Sequence, residues 1–167
     1  MSLMGEKYSD FGPYNSLKPG RKLCRVILAA DGSEGMARHY ENGDVPLKLF
    51  VGALCGITAE SDLQYRVMLI SGSDEPYPVF KDMLMPGMLL AAAENIDPLI
   101  KCSGRQNRDA LYSYLLGLFS EGGSFCGPQS ENVGDIVIML GDYAPEPAAE
   151  QSKALDKLLK CPDFCRA

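Results

Sequence analysis

Tryptophan is absent from this chain and histidine occurs once, as His39. A lone histidine leaves no room for a histidine-rich metal centre, and any serine or cysteine nucleophile needing an imidazole base would have to recruit His39. No apolar run approaches the ~18 residues of a membrane-spanning helix, and no charged, then apolar, then small-residue leader opens the chain. The expectation is a soluble, intracellular (cytoplasmic) protein with no membrane partner. There is no CxxC: the six cysteines are dispersed, with Cys161 and Cys165 the nearest pair. That spacing gives a structural zinc site little support, so the cysteines read as reduced, small hydrophobic residues. Neither a Walker loop nor a GxGxxG fingerprint is present. A surplus of cations is missing too: 22 acidic residues outweigh 16 basic ones for a net charge of -6, and both signs are interspersed. Nucleic acid is therefore not an expected partner.

What the chain does hold is enough apolar material for one core, 46% of 167 residues, within the roughly 100–200 residues usual for a single domain. Residues 1–21, with a second methionine at Met4, read as an irregular lead-in; 22–167 read as one α/β domain. From Lys22 onward short apolar runs alternate with helical patterns, the signature of a three-layer α/β sandwich around a mostly parallel, Rossmann-like sheet. "CRVILAA" (24–30) and "DIVIMLGDY" (135–143) are uninterrupted apolar runs suited to central parallel strands. "LQYRVMLISG" (63–72) is a further strand. "YPVFKDM" (77–83), fenced by prolines, suits only an antiparallel edge strand. The predicted strand order is 3-2-1-4. Helices are expected over 44–57, from 86 to about 96, over 107–123 with Leu111, Leu115, Leu118 and Phe119 on one face, and over 146–160. "GGSFCGPQSENVG" (122–134) reads as a Gly/Ser-rich surface loop, and Cys161 to Cys165 as a frayed end with free thiols.

Two strands end alike, "VILAAD" on Asp31 and "IVIMLGD" on Asp142. If they lie side by side, both carboxylates emerge at the carboxyl edge of the sheet, where open α/β folds hold ligands. Two neighbouring carboxylates repel, and a hard cation, a basic side chain or a shared proton must relieve them.

The order of pieces, "DGSEG" (31–35), "LQYRVMLISG" with "YPVFKDM", "CSGRQNRDALYSYLLGLF" (102–119) and "VIMLGDY" (137–143), resembles the von Willebrand factor A (VWA) family over roughly residues 22–145. The resemblance implies an Mg²⁺-dependent adhesion site. Asp31 and Ser33 match its first two ligands, and Asp142 matches the aspartate of its last loop. Gly35 stands where the family has a second serine, and the threonine position falls near Arg105, or under a loop shift on Gln106 or Asn107. Such a site is degenerate, with Mg²⁺ binding weak or lost, and an inward Arg105 would neutralise the carboxylates without metal. Glu34, Arg105, Asn107 and Tyr143 then form the edge that meets a protein partner.

The resemblance implies a non-catalytic protein–protein interaction module. Alternatives from other classes are an Mg²⁺-assisted hydrolase or phosphotransferase using Asp31 and Asp142, with Ser33 as nucleophile, and a nucleotide-binding α/β domain of the universal-stress type. Local readings stand beside these. Asp31-Gly32-Ser33 also suits a plain strand-to-helix turn, Asp142 a helix cap, and "SGSDEPYP" (71–78) a simple turn; His39 reads as an exposed loop residue. Only one helix follows Asp142 where the family has more elements, so the sheet should have four strands, in a minimal version of the fold or a truncated part of a longer protein.

Overall fold

A computed structural model describes residues 22–41, 46–59, 61–95, 99–127, 132–141 and 152–166. Four strands, β1 (Leu23–Asp31), β2 (Gln64–Gly72), β3 (Tyr77–Pro78) and β4 (Asn132–Leu140), form one sheet in the order β3-β2-β1-β4. β1 pairs in parallel with both β2 and β4, aligning Ala30 with Ser71 on one side and with Leu140 on the other. β3 runs antiparallel to β2. The predicted order and strand directions are thus those of the molecule.

The reason lies in β1. From Cys24 to Asp31 every side chain is buried, which an apolar run without alternation achieves only in the middle layer of a sandwich. On one face Val26, Leu28 and Ala30 join Val67 and Leu69 of β2. Helices α1 (Ala37–Glu41), α2 (Pro46–Ala59) and α3 (Pro86–Asn95) cover them, through residues such as Tyr40, Val51 and Leu89. On the other face Ile27, Ala29 and Ile70 meet α4 (Arg108–Phe119) and α5 (Lys153–Leu159), through Leu111, Leu115, Phe119 and Leu158. Each such aliphatic side chain contributes roughly 1.5–3 kcal/mol when fully buried. The α4 residues recur every fourth position along one stripe.

Several elements depart from expectation. The edge strand shrinks from seven residues to Tyr77–Pro78, followed by a separate bridge of Leu84 to Val67, because the prolines cannot donate to a ladder. α4 stops at Phe119, with Ser120 Oγ donating to the Leu116 carbonyl at 2.6 Å, before the Gly-Gly pair. His39 is helical rather than in a loop. The loop after α4 is not merely superficial: Phe125 is 1% exposed and packs on Phe119. The C-terminal turn is tied down, with Phe164 edge-on to Phe119 and Cys161 Sγ donating to the Phe119 carbonyl. All six cysteines are free thiols, and burial, with the Asp135 charge adding to it, pushes the Cys24 thiol up. The predicted stretch 146–151 of the last helix lies outside the described residues; α5 itself begins after Ser152, whose hydroxyl accepts from the Leu155 N–H.

A charged row crosses the amino end of this core. The β1 register sets Arg25 between Arg66 of β2 and Asp135 of β4, all three on the α4–α5 face. The Arg25 guanidinium, 1% exposed, grips Asp135 through two bonds of 2.6 Å and donates a third to the Ser124 carbonyl at 3.0 Å. Its Cζ also lies over the Phe125 ring, 4.3 Å from the ring centroid. Arg66 is buried beside it, and desolvation pulls its pKa below the usual arginine range.

Removing one partner strands a buried charge, whereas replacing both with apolar residues is often near neutral. Asp135→Ala is therefore expected to lower the unfolding free energy by about 3 kcal/mol or more, and Arg25→Met with Asp135→Leu to recover most of that. Urea unfolding of the two variants checks this; equal losses for single and double substitution would contradict it.

Candidate carboxyl-edge site

Three loops meet where β1 and β2 end. The first follows Asp31, the second follows Gly72, and the third, 101–107, leads into α4. Backbone bonds lace them together: Gly32 N–H donates to the Gly72 carbonyl at 3.3 Å, Ser103 N–H to the Gly32 carbonyl at 2.9 Å, and Glu34 N–H to the Gly104 carbonyl at 3.1 Å. Asp74, in the second loop, accepts the Arg105 N–H at 3.0 Å. The stretch "SGSDEPYP" is thus more than a turn, since it anchors the third loop.

Two glycines make the close approach feasible. Gly104 has φ +66, a conformation costly for side-chain-bearing residues, and a Cβ there would run into the Asp74 carboxylate. A Cβ on Gly32 would meet Ser71 Oγ and, at 3.3 Å, Ile100. Ser71 is itself fully buried, and its hydroxyl has no hydrogen-bond partner among the described residues.

Asp31 is the centre of the cluster and is 1% exposed. One carboxylate oxygen accepts the Ser33 N–H at 2.9 Å, closing an Asx-type turn, and the other accepts the Gln106 side-chain amide at 2.8 Å. Asp31 forms no ion pair among the described residues. A buried carboxylate without a counter-ion needs hydrogen bonds to its charged form, and here two neutral donors supply them.

The predicted site residues divide accordingly. Asp31 and Ser33 come together. Ser33 is 7% exposed and precedes the 3-10 turn Glu34–Met36 as its N-cap residue, yet its side chain makes no capping bond. Asp142 and Tyr143 lie outside the described residues; β4 is described to Leu140, aligned with Ala30. Arg105 does not turn inward: its side chain is exposed, and the loop uses only its backbone N–H. The residue that reaches Asp31 is Gln106, the alternative register. Asn107 stays out of the site because its side chain accepts from the Ala110 N–H at 3.0 Å, capping α4. Glu34 is exposed at the rim.

The described part of this arrangement does not fit an Mg²⁺ ion. Mg²⁺ requires near-octahedral oxygen coordination at about 2.0–2.1 Å. Both Asp31 oxygens already hold hydrogen bonds, Gly35 brings no side-chain oxygen, and Gln106 presents donors rather than its carbonyl. Among the described residues no group of three or more His, Cys, Asp or Glu side chains is placed to hold a metal. A catalytic serine fares no better. Ser33 Oγ makes no hydrogen bond among the described residues, and the bond found at His39 Nε2 comes from Arg38 at 3.4 Å.

Removing the Gln106 amide deprives the buried carboxylate of one of its two donors. Gln106→Ala should cost about 1.5–3 kcal/mol, the range for a hydrogen bond to a charged group. Gln106→Glu should cost more at pH 7, by setting a second carboxylate against Asp31. Because the folded variant holds a proton more readily than the unfolded one, its stability should recover as pH falls. Denaturant unfolding at pH 7 and pH 5 reads both effects; a Gln106→Glu protein no less stable than wild type at pH 7 would contradict them. No protein-family model and no curated protein matches the chain.

Proposed function

We propose that this domain is a non-catalytic protein-interaction module of VWA type, whose carboxyl-edge loops have exchanged a metal ion for a glutamine. The observation that carries the reading is the Asp31 carboxylate, buried and occupied on both oxygens by donors of its own chain. A group so engaged is a poor general base or metal ligand, because either role must first break hydrogen bonds that offset the cost of burying the charge. It is well suited to fixing three loops as one rigid platform.

Exposed Glu34, Asp74 and Arg105 stand on that platform, and a rigid backbone bearing mixed charges serves recognition by a protein surface. No helix of the described residues is long and apolar enough to cross a membrane. An Mg²⁺-assisted hydrolase is the weaker reading, because among the described residues Ser33 has no hydrogen-bonded base beside it.

A ligand that binds only the native state raises stability as RT ln(1 + [L]/Kd). About 5 mM Mg²⁺ should therefore leave the Tm of the wild-type protein unchanged, and Gln106→Thr, which returns a hydroxyl to the loop, should make Tm newly Mg²⁺-dependent. No phosphatase or esterase turnover is expected on nitrophenyl substrates. An Mg²⁺-induced rise of the wild-type Tm that Asp31→Ala abolishes, or turnover that Ser33→Ala abolishes with the fold intact, would overturn the proposal.

A further inference from the structure

The two edges of the sheet are built in opposite ways. β3 is two residues long and contains Pro78, so it offers an incoming strand little to pair with. β4 is nine residues long, and from Ile136 to Leu140 it carries no charge and no proline. Its inner edge pairs with β1; along Ile136–Leu140 no strand of the described residues pairs with the outer edge. Its side chains differ from those of β1 as well. Gly134 through Leu140 are all at least partly accessible, and Ile136 is 43% exposed. A long, apolar, uncharged edge is the kind that natural sheets otherwise blunt.

We propose that the β4 edge is the interface of a homodimer, in which β4 pairs antiparallel with β4 of a second copy to extend the sheet from four strands to eight. This surface is separate from the carboxyl-edge loops, and the inference stands independently of their function.

The strand is complementary to itself. A two-fold axis perpendicular to the sheet keeps each face on its own side, so residues opposite one another across the axis must differ by an even number of positions. Pivoting on Ile138 sets Ile136 opposite Leu140 and Val137 opposite Met139. All five apolar residues are then paired, and the packing of both helix layers continues across the junction. The same register places Asp135, held by Arg25, opposite Gly141, so no acid faces an acid. The overlap Ile136–Leu140 is about 17 Å long, and helix layers on either side make the edge of the sandwich about 20–25 Å tall. That gives about 340–425 Å² per copy, about half the roughly 800 Å² per partner of a standard interface, so the dimer is a weak, concentration-dependent one. A second apolar patch competes: Leu49 and Ile57 on α2 are 75% and 70% exposed. It offers no backbone pairing and serves as the control.

Sedimentation of the full 167-residue chain from about 1 to 100 μM, the range that brackets a micromolar dissociation constant, should show a species of twice the chain mass. Ile136→Lys, on an exposed side chain, should return it to monomer with an unchanged circular dichroism spectrum, and Leu49→Lys should leave the dimer intact. Hydrogen exchange of the unsubstituted protein supplies a reading that needs no variant: amides within 136–140 should exchange at least tenfold more slowly in concentrated than in dilute samples, while those of β1 do not change. A monomer at every concentration would overturn the inference. So would a dimer that Leu49→Lys dissociates and Ile136→Lys does not, or a dimer whose β4 amides gain no protection.

Discussion

β1 is covered on both faces and paired along both edges, so water reaches none of its side chains from Cys24 to Asp31. Whatever polar group it carries must be satisfied by the protein itself. It carries two charged ones, Arg25 near one end and Asp31 at the other, six residues or about 20 Å apart along the strand. The architecture of the rest follows from how each is accommodated. Arg25 dictates Asp135 on the neighbouring strand, the Ser124 carbonyl and the Phe125 ring, and so draws the loop after α4 under the sheet. Asp31 dictates the Asx turn and the inward reach of Gln106, and so draws the loop before α4 over it.

The two solutions differ in kind. At the amino end a cation meets an anion in a bidentate pair, whose Coulomb attraction is strengthened by the low local dielectric and whose desolvation is correspondingly costly. At the carboxyl end an anion meets neutral amides, which orient partial charges toward it without importing a second full charge. In the second arrangement no cation of the described residues sits on Asp31. The carboxyl-edge loops are therefore held together by hydrogen bonds rather than by ion pairs among the described residues.

The sheet was legible in the sequence because its order rests on runs of apolar residues, and two uninterrupted runs beside a proline-fenced one leave few arrangements. Arg25 was not legible as a buried residue: within "CRVILAA" it is one cation among six apolar or small residues, and its partner Asp135 lies 110 positions away. Aligning the expected strands 24–30 and 135–141 by their first residues sets Asp135 beside Cys24, whereas the actual register is shifted by one position and pairs Asp135 with Arg25. At the site, Asp31 and Ser33 were found because a strand ending marks them. Gln106 and Arg105 are adjacent in a loop without periodicity, and a shift of one position decides which turns inward. What settles it is backbone geometry: Gly104 at positive φ presents the Arg105 N–H to Asp74 and leaves the Arg105 side chain outside.

The Gln106 amide donates to the Asp31 carboxylate where the proposed ancestral metal would have bound. A crystal structure grown in millimolar MgCl₂ decides between the amide and a cation at this position. Gln106 Nε2 is expected within hydrogen-bonding distance of Asp31, with no octahedral density on the carboxylate. Density at about 2.0–2.1 Å from an Asp31 oxygen with near-octahedral neighbours, and Gln106 turned away or ligating through its carbonyl, would contradict this.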